Sequence, residues 1–243
     1  MDRAAYLDSV RGDGAALAAA ARQGLDAVVD HCPGWTVRSV VEHLGTIHLW
    51  VRTMVGEGMT ERLDRKALPP PPEDDDELVA WFEAGVPALV EVLAAVPDDK
   101  PVWNWSLQPH VASFWPRRMA HETSVHRWDG ERGHGKESPI DGAIAADGID
   151  EVFDTITPRV LSGGSDLSLG GTLHLHCTDR EGEWVVLLED GRLQVSKEHA
   201  KGDCAVRGTA SDLELLLLNR PTRDAVEVFG DPSVLDAWSK IEF

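Results

Sequence analysis

The sequence predicts an α+β protein in which an N-terminal four-helix bundle precedes a small α/β domain. Two observations support this. Apolar residues of the first 160 or so positions recur at three- and four-residue intervals, as in helices, whereas after residue 165 they alternate with polar ones, as in strands. A Gly- and Ser-containing stretch near residues 162–165 separates the two patterns. We therefore expect one domain at residues 1–162 and a second at 163–243.

Four helices are expected in the bundle. The first is Ala-rich and covers residues 4–29. The second follows the turn CPGW, with Thr36 as its N-cap, and has the most regular apolar spacing in the chain. A proline-rich connector, LPPPPEDDDE, leads to the third, in which Pro87 predicts a kink. The fourth runs from about Pro116 to about Glu131.

The remaining elements follow in chain order. The stretch DGAIAADGIDEVFDTITPRVL predicts a fifth helix that ends before SGGSD. TLHLHCTD alternates as a strand, EWVVLLEDGRLQV predicts a hairpin that turns at Asp190-Gly191, and DCAVRG predicts a further strand. TASDLELLLLNR predicts a helix capped by Thr209 or Ser211, and PSVLDAWSK a final short helix.

Composition excludes several classes of function. The chain has 42 Asp and Glu against 23 Lys and Arg, a net charge of −19, which would repel a phosphate backbone; we expect no nucleic-acid partner. No apolar run approaches the ~20 residues of a membrane span, and the N-terminus has no apolar signal core. Three cysteines form no CxxC and no disulfide-rich pattern. We expect a cytoplasmic protein without a membrane partner.

The stretch HETSVH, at residues 121–126, resembles the zinc-protease signature H-E-x-x-H but has one residue too many. At about 100° per residue, His121 and His126 lie about 140° apart and cannot reach one ion from one helix. Glu122 and His126 are only about 40° apart, on one helix face. They can supply two ligands of a metal, and at least one more must come from another element.

The second helix offers two histidines as that further ligand. His43 and His48 both flank its apolar arc, and His48 lies slightly closer to the core-facing direction. The spacing leaves the choice open, and either residue can instead be a structural histidine. His174 and His176 alternate with the apolar residues of a strand, so we expect them to face solvent or a domain interface.

Glu122 shares its helix face with bulky apolar side chains, so it should project into the bundle interior. An unpaired carboxylate is costly there, and either a metal ion or an ion pair with Arg118, one turn earlier, can compensate its charge. Asp129 can accept a hydrogen bond from the ring of His126, or it is a solvated charge.

Two stretches, CPGWTVRSVVEHLGTIHLW and FWPRRMAHETSVHRWDGE, resemble the mycothiol-dependent maleylpyruvate isomerase family. The resemblance implies a DinB-like bundle in which a divalent metal, usually zinc, is bound by His43, Glu122 and His126. It therefore favours His43 over His48.

The C-terminal stretch GDCAVRGTASDLELLLLNR resembles the sterol-carrier-like domain of the same family. The resemblance implies a functional arginine near the end of this helix. Arg220 is the closest match, and Arg223 is a nearby rival. The structural alternative for Arg220 is a cation that compensates the helix dipole.

The resemblance implies an enzyme, a transferase or isomerase, that uses mycothiol as its thiol cosubstrate. A metal with two imidazoles and one carboxylate keeps an open position, where a thiol is bound as a thiolate and can add to a small electrophilic substrate. We expect a monomer or homodimer. Two alternatives stay open: a non-catalytic metal-binding regulatory or ligand-carrying protein whose closed site recruits His48 or His121, and a metal-assisted hydrolase, for which Asp129 is the candidate base.

Overall fold

A computed structural model describes residues 1–164 and 166–241. Its contacts divide the chain into two compact units, one at Met1–Ile140 and one from Asp141 onward. The first unit is helical and the second contains a five-stranded sheet, which confirms the predicted α+β class.

Four long helices build the first unit: α1 (Arg3–Ala21), α2 (Val37–Glu57), α3 (Asp75–Ala95) and α4 (Phe114–Arg132). A short 3-10 turn at Arg65–Ala67 lies in the connection between α2 and α3. Helices α1 and α2 each pack against both α3 and α4, and the apolar core lies between the four. The bundle predicted from the apolar periodicity is therefore present.

Helix α2 begins where the sequence predicts. Thr36 is its N-cap, and the Ser39 hydroxyl accepts a hydrogen bond from the Thr36 N–H at 3.3 Å. The helix ends at Gly58, whose φ of 66° is the left-handed conformation that favours glycine. The whole apolar run from Val37 to Val55 is thus helical.

The predicted extension of α1 to residue 29 is wrong. The helix ends at Ala21, and Gly24 follows with a φ of 146°, outside the helical range. The chain after Gly24 is no longer helical, and Val28 bridges Thr36. Leu25 is buried without being helical and Val28 is exposed, so an apolar spacing that fits a helix belongs here to a non-helical segment.

Helix α3 contains Pro87 and continues through it to Ala95. Among the described residues it is the one helix that is long and apolar enough, by length and composition, to cross a membrane. Its buried side chains, which include Leu78 and Phe82, belong to a helix that packs against α1 and α2. This is the arrangement of a core helix in a bundle.

The second unit begins with a helical segment: α5 (Gly142–Glu151), a π-helical turn (Val152–Ile156) and α6 (Thr157–Leu161). The predicted boundary at 162/163 would leave this segment with the bundle. The structure instead groups it with the sheet, because α5 packs against α7 (Ala210–Leu217). A Cβ on Gly148 would lie 1.9 Å from Glu214 Oε1, so only glycine permits this close approach.

The sheet has the strand order β3-β2-β1-β4-β5. Its strands are β1 (Thr172–Cys177), β2 (Glu183–Glu189), β3 (Arg192–Ser196), β4 (Cys204–Gly208) and β5 (Glu227–Gly230). β1 is parallel to β4, and the other neighbours are antiparallel. The predicted hairpin turns at Asp190 and Gly191, which have φ values of 48° and 69°. The four-residue β5 was not predicted, because it is too short to alternate visibly.

The two faces of the sheet differ. Leu173 and Leu175 of β1 lie on the buried face, which packs against α7 and α8 (Pro232–Trp238). Thr209 caps α7, one of the two predicted positions. Because side chains alternate along a strand, His174 and His176 point away from this core, to the opposite face.

We predict that Gly45→Ala destabilises the first unit, because a Cβ there would lie 2.2 Å from the Trp81 ring between α2 and α3. Overpacking of this kind costs about 1–3 kcal/mol. Gly85→Ala in α3 is the matched control: its Cβ meets nothing within 4 Å. The control should gain up to about 1 kcal/mol from helix propensity. Urea denaturation measures both changes, and equal stabilisation by the two substitutions would contradict the prediction.

Candidate metal centre

The three residues that the family resemblance implies as metal ligands lie together in the first unit. His43 comes from α2, and Glu122 and His126 come from successive turns of α4. His43 Nε2 is 3.4 Å from Glu122 Oε1, and His126 Nε2 is 3.5 Å from the same oxygen. All three ligand atoms lie within 4.8 Å of one another.

This spacing fits a zinc ion. Zinc binds nitrogen and oxygen at about 2.0–2.2 Å, so two ligands of a tetrahedral ion lie about 3.3–3.6 Å apart. The distances of 3.4 and 3.5 Å fall within that range. A set of two imidazoles and one carboxylate is also the donor chemistry of catalytic zinc sites, which leave a fourth position open.

The second oxygen of Glu122 pairs with Arg118. The guanidinium lies one turn earlier on α4 and contacts Oε2, whereas Oε1 faces the two histidines. The metal cluster and the ion pair, which the sequence offered as alternatives, are therefore compatible. Burial opposes ionisation of Glu122, but Arg118 and hydrogen bonds from His126 and His43 hold its pKa well below the usual value.

Asp129 orients the His126 ring. Its side chain is fully buried, and its Oδ2 accepts a hydrogen bond from His126 Nδ1 at 2.9 Å. The predicted contact is confirmed, and the alternative of a solvated charge is wrong. Because Nδ1 donates to Asp129, the other ring nitrogen, Nε2, is directed at Glu122.

The same carboxylate binds a second histidine that the sequence analysis missed. His31 Nε2 lies 2.7 Å from Asp129 Oδ1, and His31 Nδ1 lies 3.2 Å from Asp30 Oδ1. His31 and Asp129 are separated by 98 positions, and no local pattern connects them. Asp129 thus links the candidate centre to the CPGW turn.

Trp35, from that turn, forms one wall of the centre. Its ring centroid is 5.2 Å from the ring of His43, and it stacks on His126 at 6.2 Å. The His43 side chain keeps 33% of its surface exposed, so the cluster is reachable by a small molecule. The site is thus apolar on one side and open on another.

His48 and His121 do not join the cluster. His48 is buried, donates to the Thr123 hydroxyl at 3.0 Å and stacks on Phe82. Burial lowers its pKa to about 3, so it is neutral. His121 is buried edge-on against Tyr6. His48 is the more buried of the two α2 histidines, as the spacing indicated, and its Nε2 is bonded to Thr123 of α4 rather than directed at the cluster.

The two candidate arginines lie in the second unit. Arg220 follows the C-terminus of α7, and its guanidinium donates to the Leu218 carbonyl at 2.9 Å. Arg223 pairs with Asp236 at 2.7 Å on the surface. The Arg220 contact suits a cation near a helix end, and its part in function stays a prediction.

Two known family profiles match this chain, one in each half. A family profile described as the mycothiol maleylpyruvate isomerase N-terminal domain matches residues 7–130, and one described as the MDMPI C-terminal domain matches residues 143–237. No curated protein sequence matches.

Two crystal structures, both described as a mycothiol-dependent maleylpyruvate isomerase, are similar to this chain. One, of a histidine-to-alanine variant, is 13% identical with a TM-score of 0.62, and the other is 14% identical with a TM-score of 0.55. Each comparison covers 94% of this chain and 93% of that chain. At such identities the likeness shows the fold.

We predict that the metal-free chain loses stability as the pH rises from 6.5 through about 9. Burial lowers the pKa of His31 and His126, but hydrogen bonds to Asp129 outweigh it and raise both to about 9, from 6.5. The folded chain therefore keeps protons that the unfolded chain releases, so the stabilisation is full below pH 6.5 and disappears above 9. Denaturant midpoints across this range measure the slope. Asp129→Asn should flatten it, and an unchanged slope would contradict the assignment.

A second prediction concerns metal content. His43→Ala, Glu122→Ala and His126→Ala should each bind one equivalent of zinc fewer than the unsubstituted chain, because each removes one of three ligands. His48→Ala is the control on the same helix and should keep this equivalent. Equilibrium dialysis with elemental analysis measures the stoichiometry. Loss of the ion in His48→Ala and its retention in His43→Ala would overturn the ligand set.

Proposed function

The chain belongs to the mycothiol maleylpyruvate isomerase family, and on that basis we propose that it is an enzyme that activates mycothiol at a zinc ion. In this proposal His43, Glu122 and His126 bind the zinc ion, and the thiol adds as a thiolate to a small electrophilic carbon substrate. The observation that carries it is the convergence of these three donors at distances suited to one ion.

Three protein ligands support a catalytic rather than a structural ion. A structural zinc site is closed by four protein ligands, whereas a catalytic site keeps one position for water or substrate. The non-catalytic alternative needs His48 or His121 as the fourth ligand. His48 is engaged by Thr123 and His121 lies against Tyr6, so neither supports a closed site.

The hydrolase alternative has less support. It needs a general base beside the ion, and Asp129 was the candidate. Both oxygens of Asp129 are occupied, one by His126 and one by His31, and its side chain is fully buried. A carboxylate held in this way orients a ligand and is poorly placed to take a proton from water.

The chain's own residues prepare the site. A bound zinc ion would supply the positive charge that favours a thiolate over a thiol near neutral pH. Arg118 balances the charge of Glu122 on the side away from the histidines. Asp129 fixes the ring of His126, and the Trp35 indole excludes water from one side of the cluster. We keep Arg220 of the second unit as the candidate catalytic arginine that the family resemblance implies.

Two outcomes of thiolate addition belong to this proposal. In isomerisation, the sulfur bonds to one carbon of a conjugated double bond, the resulting single bond rotates, and the thiolate leaves as the double bond re-forms, so no thiol is consumed. In S-transfer, the carbon–sulfur bond remains and the adjacent carbon takes up a proton. The family name favours isomerisation.

The proposal also covers the localisation, the oligomeric state and the partners of the enzyme. We place it in the cytoplasm, as a monomer or homodimer, with mycothiol and the electrophile as its partners. The net charge of −19 supports the expectation that it binds no nucleic acid.

We predict that cobalt-substituted protein develops a thiolate-to-metal charge-transfer band when it is titrated with mycothiol. Glutathione at the same concentration should give a weaker band, because the resemblance implies mycothiol as the cosubstrate. His126→Ala should abolish the band, and His48→Ala, the control, should keep it. Absorption spectroscopy measures the band.

Absence of the band in protein with a full equivalent of cobalt would contradict thiol activation and favour the hypothesis of a non-catalytic metal-binding protein. A screen of conjugated electrophiles then separates the two reactions. Loss of free thiol indicates transfer, whereas a changed substrate spectrum with constant thiol indicates isomerisation.

A further inference from the structure

Four further ligand-type side chains meet in the second unit, outside the candidate centre. His174, His176, Glu183 and His199 each bring one nitrogen or oxygen to within 4.8 Å of all the others. They lie on the face of the sheet opposite the core formed with α7 and α8. The proposed function uses none of them.

The topology of the sheet brings them together. His174 and His176 are alternate residues of β1, so both point to one face. Glu183 opens β2 and is paired directly opposite His176 in the antiparallel register, which places it on the same face. His199 comes from the connection between β3 and β4, at residues 197–203.

Glu183 lies at the middle of the cluster. Its Oε2 is 3.2 Å from His174 Nε2 and 2.8 Å from His199 Nδ1, and its Oε1 is 2.9 Å from His176 Nδ1. Three imidazole rings from two chain segments therefore direct a nitrogen at one carboxylate. Their hydrogen bonds hold the four groups near one point, so little rearrangement is needed for binding.

The side chains of the cluster differ in their exposure to solvent. The His174 side chain is 8% exposed, whereas that of His199 is 84% exposed. The connection also lies directly on β1, because a Cβ on Gly202 would be 2.9 Å from the His174 Cβ. His199 is thus the most exposed of the four side chains.

We propose that these four residues form a second metal site, which binds a divalent transition metal such as zinc. Three imidazoles and one carboxylate are ligands that zinc and its neighbours prefer, and four protein ligands complete a tetrahedron. A site closed in this way is structural. Through its bond to His199, the ion would connect residues 197–203 to strands β1 and β2.

Zinc stoichiometry in the full-length chain tests the site. The metal-free protein should bind two equivalents, and the double variant Glu183→Gln, His199→Asn should bind one. The double variant His43→Asn, His126→Asn should also bind one, which is then the ion at the sheet. Glu189→Gln removes an exposed carboxylate at the far end of β2 and, as the matched control, should keep both.

Trypsin provides an independent readout, because Lys197 and Lys201 flank His199 and are exposed. Zinc should slow cleavage after these lysines at least about tenfold in the unsubstituted chain and in His43→Asn, His126→Asn. It should have no effect in Glu183→Gln, His199→Asn, whose circular dichroism confirms folding. A single equivalent in the unsubstituted chain that disappears in His43→Asn, His126→Asn, with cleavage unaffected by zinc, would overturn the second site and leave the first intact.

Discussion

The candidate centre of the first unit is organised around one largely buried carboxylate, that of Glu122, whose side chain is 18% exposed. Glu122 projects from α4 into the bundle, where an ionised group costs several kcal/mol unless cations compensate it. Arg118 does so from the preceding turn, and His126 and His43 approach its other oxygen. The other contacts of the site surround this carboxylate: α2 presents His43 to α4, Asp129 holds His126, and Trp35 of the CPGW turn packs against both rings.

The sequence predicts those parts of the site that lie within one helix. The four-residue spacings of α4 place Arg118, Glu122 and His126 on one face, and the structure has them there. Apolar spacing could not identify the candidate ligand on α2, because His43 and His48 flank the same apolar arc. The family resemblance favoured His43. The link from Asp129 to His31 spans 98 positions and left no signal.

In the fold, too, local features were predicted from the sequence and features that depend on tertiary packing were not. Capping residues and turns, such as Thr36 and Asp190-Gly191, act locally and were predicted. The end of α1 and the boundary between the units depend on tertiary packing. The apolar residues of Leu25–Val29 have the same sequence pattern whether the chain there is helical or extended. Apolar periodicity also does not show that α5 packs against α7, and this contact sets the boundary between the units. The four donors on the sheet were likewise predicted only as two outward-facing histidines, since Glu183 and His199 join them through register and a loop.

The open metal position is the claim on which the proposed chemistry depends, and zinc X-ray absorption tests it most directly. The measurement uses zinc-loaded Glu183→Gln, His199→Asn protein, so that the signal comes from the centre of the first unit alone. Without thiol, the zinc should be surrounded by nitrogen and oxygen at about 2.0–2.2 Å. Addition of mycothiol should introduce one sulfur neighbour at about 2.3 Å. An unchanged spectrum at saturating mycothiol, with the ion still bound, would contradict the account.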